Sequence, residues 1–361
     1  MGAFLLVVFA LLVPVRAEAF GGVDRSFGRD GSVDLFFQPT SNSVSFPLSV
    51  ASSREGMIYV YQRLDYYCGG QICADAHLLL RFKPDGRRDT RYGGNGTVEL
   101  AAAEQAKVVV DRQGRVLIGT LTPGGAQVLR LLPDGAVDSS FGSGGTASIG
   151  CSCPAESMNL TLDSSGNPRI ALGGFLSLNP SRVQVVVASM TGRGQPNPEF
   201  GSGGVASTTI LNGESPVTAA NLAGGGQVLG VSLREDVSFD VVKLGPSGGI
   251  DQRFSAKARR AVAAWVRERD LIWIEPRILV PRGHGELDVI GQMRPGSSVA
   301  AVGFVLRLRR DGSIDRRFGR DGSRRFPWGV EGAIAGSEGR VFPVGETREQ
   351  GMVGVWIDAE G

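Results

Sequence analysis

Apolar residues along this chain come in short runs rich in Val, Leu and Ile, broken by turns rich in Gly, Asp, Pro and Ser. One stretch shows the grammar. Thr97 to Leu100 reads as a short strand a, and Ala106 to Val110 as strand b. Asp111-Arg112-Gln113-Gly114 is a turn, Val116 to Leu121 is strand c, Pro123-Gly124-Gly125 turns again, and Gln127 to Leu132 is strand d. Short β-branched runs between such turns predict strands rather than helices.

The same order returns along the chain. Strand d recurs as LLLRF, VLRLL, VVVAS, VVKLG, VLRLR and VGVWI. Between each d and the next a lies a link whose fullest form is Pro133-Asp134-Gly135-Ala136-Val137-Asp138-Ser139-Ser140-Phe141-Gly142-Ser143-Gly144-Gly145. Six copies align on its aromatic: Phe27, Tyr92, Phe141, Phe200, Phe254 and Phe318, about 50 to 65 residues apart. That period signals a propeller or solenoid. At about a dozen residues the link is too long for a tight hairpin. It suits a crossing from the outermost strand of one sheet to the innermost strand of the next. The pattern therefore predicts an all-β fold, a six-bladed β-propeller of four-stranded antiparallel blades. Units fall at about 27–91, 92–140, 141–199, 200–253, 254–317 and 318–361. The chain is expected to close end to end without a strand-swapped blade, as Asp358 to Gly361 meets Gly21 to Phe27.

The link's residue types fit such a role. Asp-Gly suits a turn of positive φ, and each Asp side chain can accept from a backbone N–H two residues on. The aromatic is the one large apolar group, expected to plug the gap between adjacent sheets. The D-G-x-x-D-x-x-F-G-x-x-G repeat resembles the bacterial delta-60 repeat family, also described as a domain-of-unknown-function β-propeller. The match is full in the third and sixth copies, weaker in the second, and degenerate in the fourth and fifth, where Ser255 replaces the glycine. The resemblance implies a propeller in exported or surface proteins and no settled activity. The D-x-D-x-D-G calcium loop of integrin-type FG-GAP propellers is absent from the sequence.

Composition agrees with an exported repeat array. Gly, at 53 residues, is about twice its usual share, and the net charge of +2 gives no pull toward nucleic acid. Ala3 to Val15 is an apolar run followed by Ala17-Glu18-Ala19. This predicts a signal peptide over 1–19 and one propeller domain over 20–361, secreted, periplasmic or on the cell surface, monomeric, with no membrane span after cleavage. Cys68, Cys73, Cys151 and Cys153 form two close pairs, read as disulfides within each loop rather than as a metal site.

Candidate chemistry is sparse. The aspartates of the links, one per turn, offer too few oxygens for calcium. If strand a is innermost, the position seven after each aromatic lines the channel: Asp34, Glu99, Ser148, Ser207, Ala261 and Arg325. His77 and His284 are far apart in the repeat map and read as ordinary surface residues. Irregular segments gather on the face of the a–b and c–d loops. They are Leu64 to Ala76 with Tyr66 and Tyr67, Gly150 to Ser157, and Lys257 to Pro276 with Arg259, Arg260, Trp265 and Trp273; the last is basic through Lys257, Arg259, Arg260, Arg267 and Arg269, and Ser323 to Arg325 adds basic character. Variable loops on a fixed scaffold are where binding resides. The sequence thus points to a non-catalytic scaffold that binds a protein or envelope polysaccharide, with no catalytic residue, metal or cofactor assigned. The alternative is a lactonase-like hydrolase or lyase using channel carboxylates such as Asp34 and Glu99 with a divalent cation, Ca among them.

Overall fold

Among the described residues the predicted runs of β-branched residues form strands, which pair antiparallel with their neighbours in sequence within each sheet. A computed structural model describes residues 43–150, 155–178, 181–233, 237–296, 300–335, 341–347 and 351–354. The expected signal peptide, the first link copy, Asp34, Cys151 and Cys153 lie outside them.

Among the described residues the strands make six sheets. The first holds β1 (Ser43–Ser52), β2 (Ile58–Cys68), β3 (Gln71–Phe82) and β4 (Thr97–Leu100). The second holds β5 (Ala106–Val110), β6 (Val116–Thr122), β7 (Gly125–Leu131) and β8 (Thr146–Gly150). The third holds β9 (Ser157–Leu162), β10 (Pro168–Leu178), β11 (Ser181–Ser189) and β12 (Val205–Leu211). The fourth has three strands, β13 (Gly213–Asn221), β14 (Gln227–Leu233) and β15 (Ser238–Leu244), followed by helix α1 (Gln252–Arg267). The fifth holds β16 (Leu271–Pro281), β17 (Leu287–Pro295), β18 (Val302–Leu308) and β19 (Ser323–Phe326). The sixth has β20 (Gly329–Ala335), β21 (Val341–Thr347) and β22 (Gly351–Gly354). First strands pack against first strands of the next sheet, from β1 on β5 through to β16 on β20. The arrangement is β-propeller-like and all-β apart from α1.

One expectation is reversed. Strand a is not the innermost strand of its unit; it is the fourth strand of the preceding sheet. Thr97 to Leu100 pair with Leu80 to His77 of β3, and Ser323 to Phe326 with Leu306 to Gly303 of β18. The expected unit boundaries are therefore displaced by one strand. The cause lies in the link, which is long but built of tight turns that hold it beside its own sheet. Gly135 N donates to Leu132 O at 2.9 Å, Leu132 N to Ala136 O at 2.8 Å and Asp138 N to Arg130 O at 3.0 Å. Length alone argued for a crossing; hydrogen bonding of the turn's own backbone decides against it.

The link aromatics do sit between sheets. Tyr92, Phe141, Phe200, Phe254 and Phe318 are at most 4% exposed. Phe141 packs in one cluster with Leu117 and Val128 of the second sheet and Met158, Leu160 and Ile170 of the third. Full burial of such a ring is worth about 1.5–3 kcal/mol. The glycine after it is required: Gly142 has φ +58°, and a Cβ there would lie 2.1 Å from Thr146 O.

The second correction is α1, where a loop was expected. Ser255 removes the glycine that turns the chain back, and an Ala- and Arg-rich run of high helix propensity follows. Asp251 caps the helix, its carboxylate accepting from Phe254 N at 3.0 Å. Phe254, Ala258, Val262, Trp265 and Val266 form the buried stripe, laid against β15.

Candidate anion-binding site beside the helix

The sites begin with a device found at four of the five described links. A basic residue on the third strand stands eight positions before the link acid: Arg81 and Asp89, Arg130 and Asp138, Lys243 and Asp251, Arg307 and Asp315. Arg130 shows it whole. Its Nε donates to Asp138 Oδ2 at 2.8 Å, its guanidinium lies 4.4 Å from the Phe141 ring centroid, and its Nη1 donates to Gly192 O of the next link. Arg81 repeats this with Asp89, Tyr92 at 4.3 Å and Pro133 O. The third sheet has Ser189 and Asn197 instead, and Arg169 of β10 reaches across, 4.9 Å from Phe200, to Gly225 O and Pro246 O. In the fifth, Arg307 turns to Asp288 at 2.7 Å, while Arg309 takes Asp315 at 2.8 Å. The sequence reading missed these cations, although their constant spacing was the available signal.

The expected channel residues that are described, all but Asp34, are not on first strands. Glu99 on β4, Ser148 on β8, Ser207 on β12 and Arg325 on β19 are exposed on fourth strands, and Ala261 is on α1. Their polarity reflects the solvent face of an outermost strand. A carboxylate pair of Asp34 and Glu99 across an axis therefore loses Glu99. First strands instead carry an exposed Lys107 on β5, whose pKa is pushed down by desolvation, and the Glu275–Arg277 pair at 3.4 Å on β16. Among the described residues no three His, Cys, Asp or Glu side chains gather to hold a metal.

The aromatic loop candidates separate. Tyr66 and Tyr67 are half-buried near the tip of the β2–β3 hairpin. The tip turns through Gly69 and Gly70 and is closed by a disulfide between Cys68 and Cys73. His77 is buried, not on the surface. Its Nδ1 lies 3.1 Å from the Tyr61 hydroxyl and its Nε2 3.0 Å from Asp75. Burial raises the Tyr61 pKa to about 12, and Tyr61 has no exposed surface, whereas Asp75 at the other end is exposed. Trp265 is buried against Phe304, with ring centroids 5.7 Å apart. Arg259 grips the buried Asp240, with Nε to Oδ1 at 2.8 Å. Arg260 remains exposed on the helix.

Two of the predicted basic stretches meet. Arg269, just past the end of α1, and Arg325 of β19 line one pocket of about 780 Å³. Arg320, Arg324, Glu268 and Asp321 complete most of its wall. Arg269 is held rigidly: its guanidinium lies 4.2 Å from the Trp265 ring centroid, Nη1 donates to Trp265 O, and the side chain is only 9% exposed. Its Nε is buried without a hydrogen-bond partner. Burial first, and then the nearby Arg325 guanidinium, hold the Arg269 pKa below its ordinary value. Four guanidinium groups against two carboxylates leave the pocket cationic. Planar donors of this kind suit carboxylate, sulfate or phosphate groups.

No family model and no curated protein matches the chain. Among solved structures it is similar to a protein of unknown function from Bacteroides caccae, with 15% identity over 78% of this chain and 87% of that one, TM-score 0.41. A Dyadobacter fermentans protein of unknown function is 10% identical over 88% and 95%, TM-score 0.47. Prolyl oligopeptidase B from Galerina marginata is 9% identical over 87% of this chain and 40% of that one, TM-score 0.48.

Proposed function

We propose that the chain is an exported, non-catalytic, six-bladed β-propeller that binds an anionic envelope polymer through the arginine pocket between α1 and β19. The observation that carries this reading is the convergence of Arg269, Arg320, Arg324 and Arg325 around one cavity, with a buried Arg269 Nε lacking an acceptor. A sulfated or carboxylated polysaccharide supplies anions with paired acceptor oxygens at repeated spacing, which matches a cluster of forks better than a single small ion does. Six serial sheets with packed first strands support the ring. The Cys68–Cys73 disulfide suits an oxidising compartment, and among the described residues no helix is long and apolar enough to cross a membrane.

The test is binding to dextran sulfate and polygalacturonate against neutral dextran, by calorimetry at several salt concentrations. Both anionic polymers are expected to bind, with affinity falling as salt rises, and the neutral one to be ignored. Arg325→Glu and Arg320→Glu, both on exposed side chains, should weaken binding about tenfold each while leaving the melting temperature in place. Wild-type affinity in both variants would sink the assignment.

A further inference from the structure

The seam between the fourth and fifth sheets lacks two bonds that the three seams before it possess. At each of those, a guanidinium donates to the second residue of the next link turn: Arg81 to Pro133 O, Arg130 to Gly192 O and Arg169 to Pro246 O. At each, the glycine after the aromatic donates its N–H to the third residue of that turn. Gly93 reaches Asp134 O, Gly142 reaches Arg193 O and Gly201 reaches Ser247 O, all at 2.8 Å. The corresponding acceptors at the next seam are Arg310 O and Asp311 O. Neither bond forms. Ser255 N turns back to Asp251 O as part of α1, and Lys243 pairs with Asp251 at 3.3 Å. The degenerate fifth copy therefore closes this seam differently: Lys257 of α1 pairs with Asp311, and α1 packs on the turn at Gly312, where a Cβ would lie 2.6 Å from Phe254 O.

A groove of about 890 Å³ lies beside this seam, between the turns at 223–226 and 281–285. Its apolar lining includes Leu222, Val228, Phe254 and Leu287. Its charged and titratable lining is Lys243, Arg282, His284 and Arg310, with no carboxylate among the lining residues. Lys243 and Arg282 are paired to Asp251 and Asp288, whereas Arg310 is exposed and has no ion-pair partner among the described residues. The size and apolar character match a small-molecule site.

We infer that this groove binds a small amphipathic carboxylate, its apolar body over Phe254 and Leu287 and its anionic end toward Arg310. Charge complementarity selects the anion. The apolar floor selects a ring or chain rather than an inorganic ion, which would gain nothing from it. The site is separate from the arginine pocket, and neither reading depends on the other.

The probe is 1-naphthoate, measured by calorimetry and ligand-observed NMR on the full chain, with uncharged 1-naphthamide as its control. Naphthoate is expected to bind, and the amide at least about tenfold more weakly. Arg310→Glu should abolish naphthoate binding. Gly224→Leu and Gly283→Leu should also block it, because both glycines line the groove and a Cβ at either meets open space without a left-handed backbone. Unchanged melting temperatures in these variants keep the result independent of folding. Absence of binding at millimolar naphthoate, equal binding of the amide, or full binding by all three variants each overturns the inference.

Discussion

The seam between the second and third sheets and the seam between the fourth and fifth are built from the same link, yet the first is closed by the link's own bonds and the second by α1, with a groove beside it. At the first, Arg130 joins Asp138, stacks on Phe141 and reaches the next sheet. At the second, Lys243 lies 5.1 Å from the Phe254 ring centroid and stops at Asp251. A planar fork satisfies three partners at once where an ammonium satisfies fewer. With the glycine also lost, the chain enters a helix and the groove remains. Repetition thus reads as structure, and the departure from it as the place where a ligand can enter.

The largest effect should come from the two aromatics. Phe141→Ala removes a fully buried ring from a closed cluster and should cost about 4 kcal/mol, transfer and cavity together. Phe254 is nearly as buried, at 4% exposed, but its ring also borders the groove, so Phe254→Ala should leave less of a closed cavity and cost about 2 kcal/mol, mostly the transfer part. Denaturant unfolding of both variants measures the difference. Equal losses would mean that the two seams are equally closed.

The cations come next. Arg130→Met leaves the 6%-exposed Asp138 charged and short of its main partner, and should cost about 3 kcal/mol. Lys243→Met breaks a pair whose side chains are 26% and 39% exposed, and should cost under about 1 kcal/mol. If the double variant Arg130→Met with Asp138→Leu recovers nothing, the loss comes from the stacking rather than from the stranded charge.

The strands and their repeat were legible because period and turn chemistry are local. Pairing was not, since a link of a dozen residues fits either a crossing or a fold-back. What decides is the ladder of bonds around Leu132 and Ala136, which composition does not display. That one ambiguity moved Glu99 and Arg325 from an imagined channel to the outer strand. The helix was legible in principle: Phe254, Ala258, Val262 and Trp265 recur at helical spacing, but the repeat template masked them. The basic character of residues 257–269 and 323–325 was read, whereas the meeting of Arg269 with Arg325 depends on α1 reaching β19. The replacement of Arg130's role by Arg169 on another strand has no sequence signature.

Acid should separate the seams by a smaller amount. Hydrogen bonds from the Ser140 side chain and backbone hold the Asp138 pKa below the carboxylate norm, and the Phe254 backbone N–H does the same for Asp251. A depressed folded pKa contributes stability that is complete above the unfolded value of about 3.9 and is lost as pH falls through the folded value. The melting temperature should therefore drop below about pH 4. Asp138→Asn should flatten that drop more than Asp251→Asn, since the Asp251 pair is half-open to solvent. An identical pH profile for both variants would remove the distinction.

The smallest change is the most informative about why the groove is there. Lys243→Arg restores the residue type that bridges the first two seams, with Arg310 O in the position of the usual acceptor. If the missing fork is the cause, the variant should gain up to about 1 kcal/mol from one new hydrogen bond and lose naphthoate affinity as the guanidinium crosses the groove. If instead the loss of glycine at Ser255 and the helix that follows set the opening, stability and binding should both stay at wild-type values. Thermal melting and calorimetry on this single variant distinguish a side-chain cause from a backbone one.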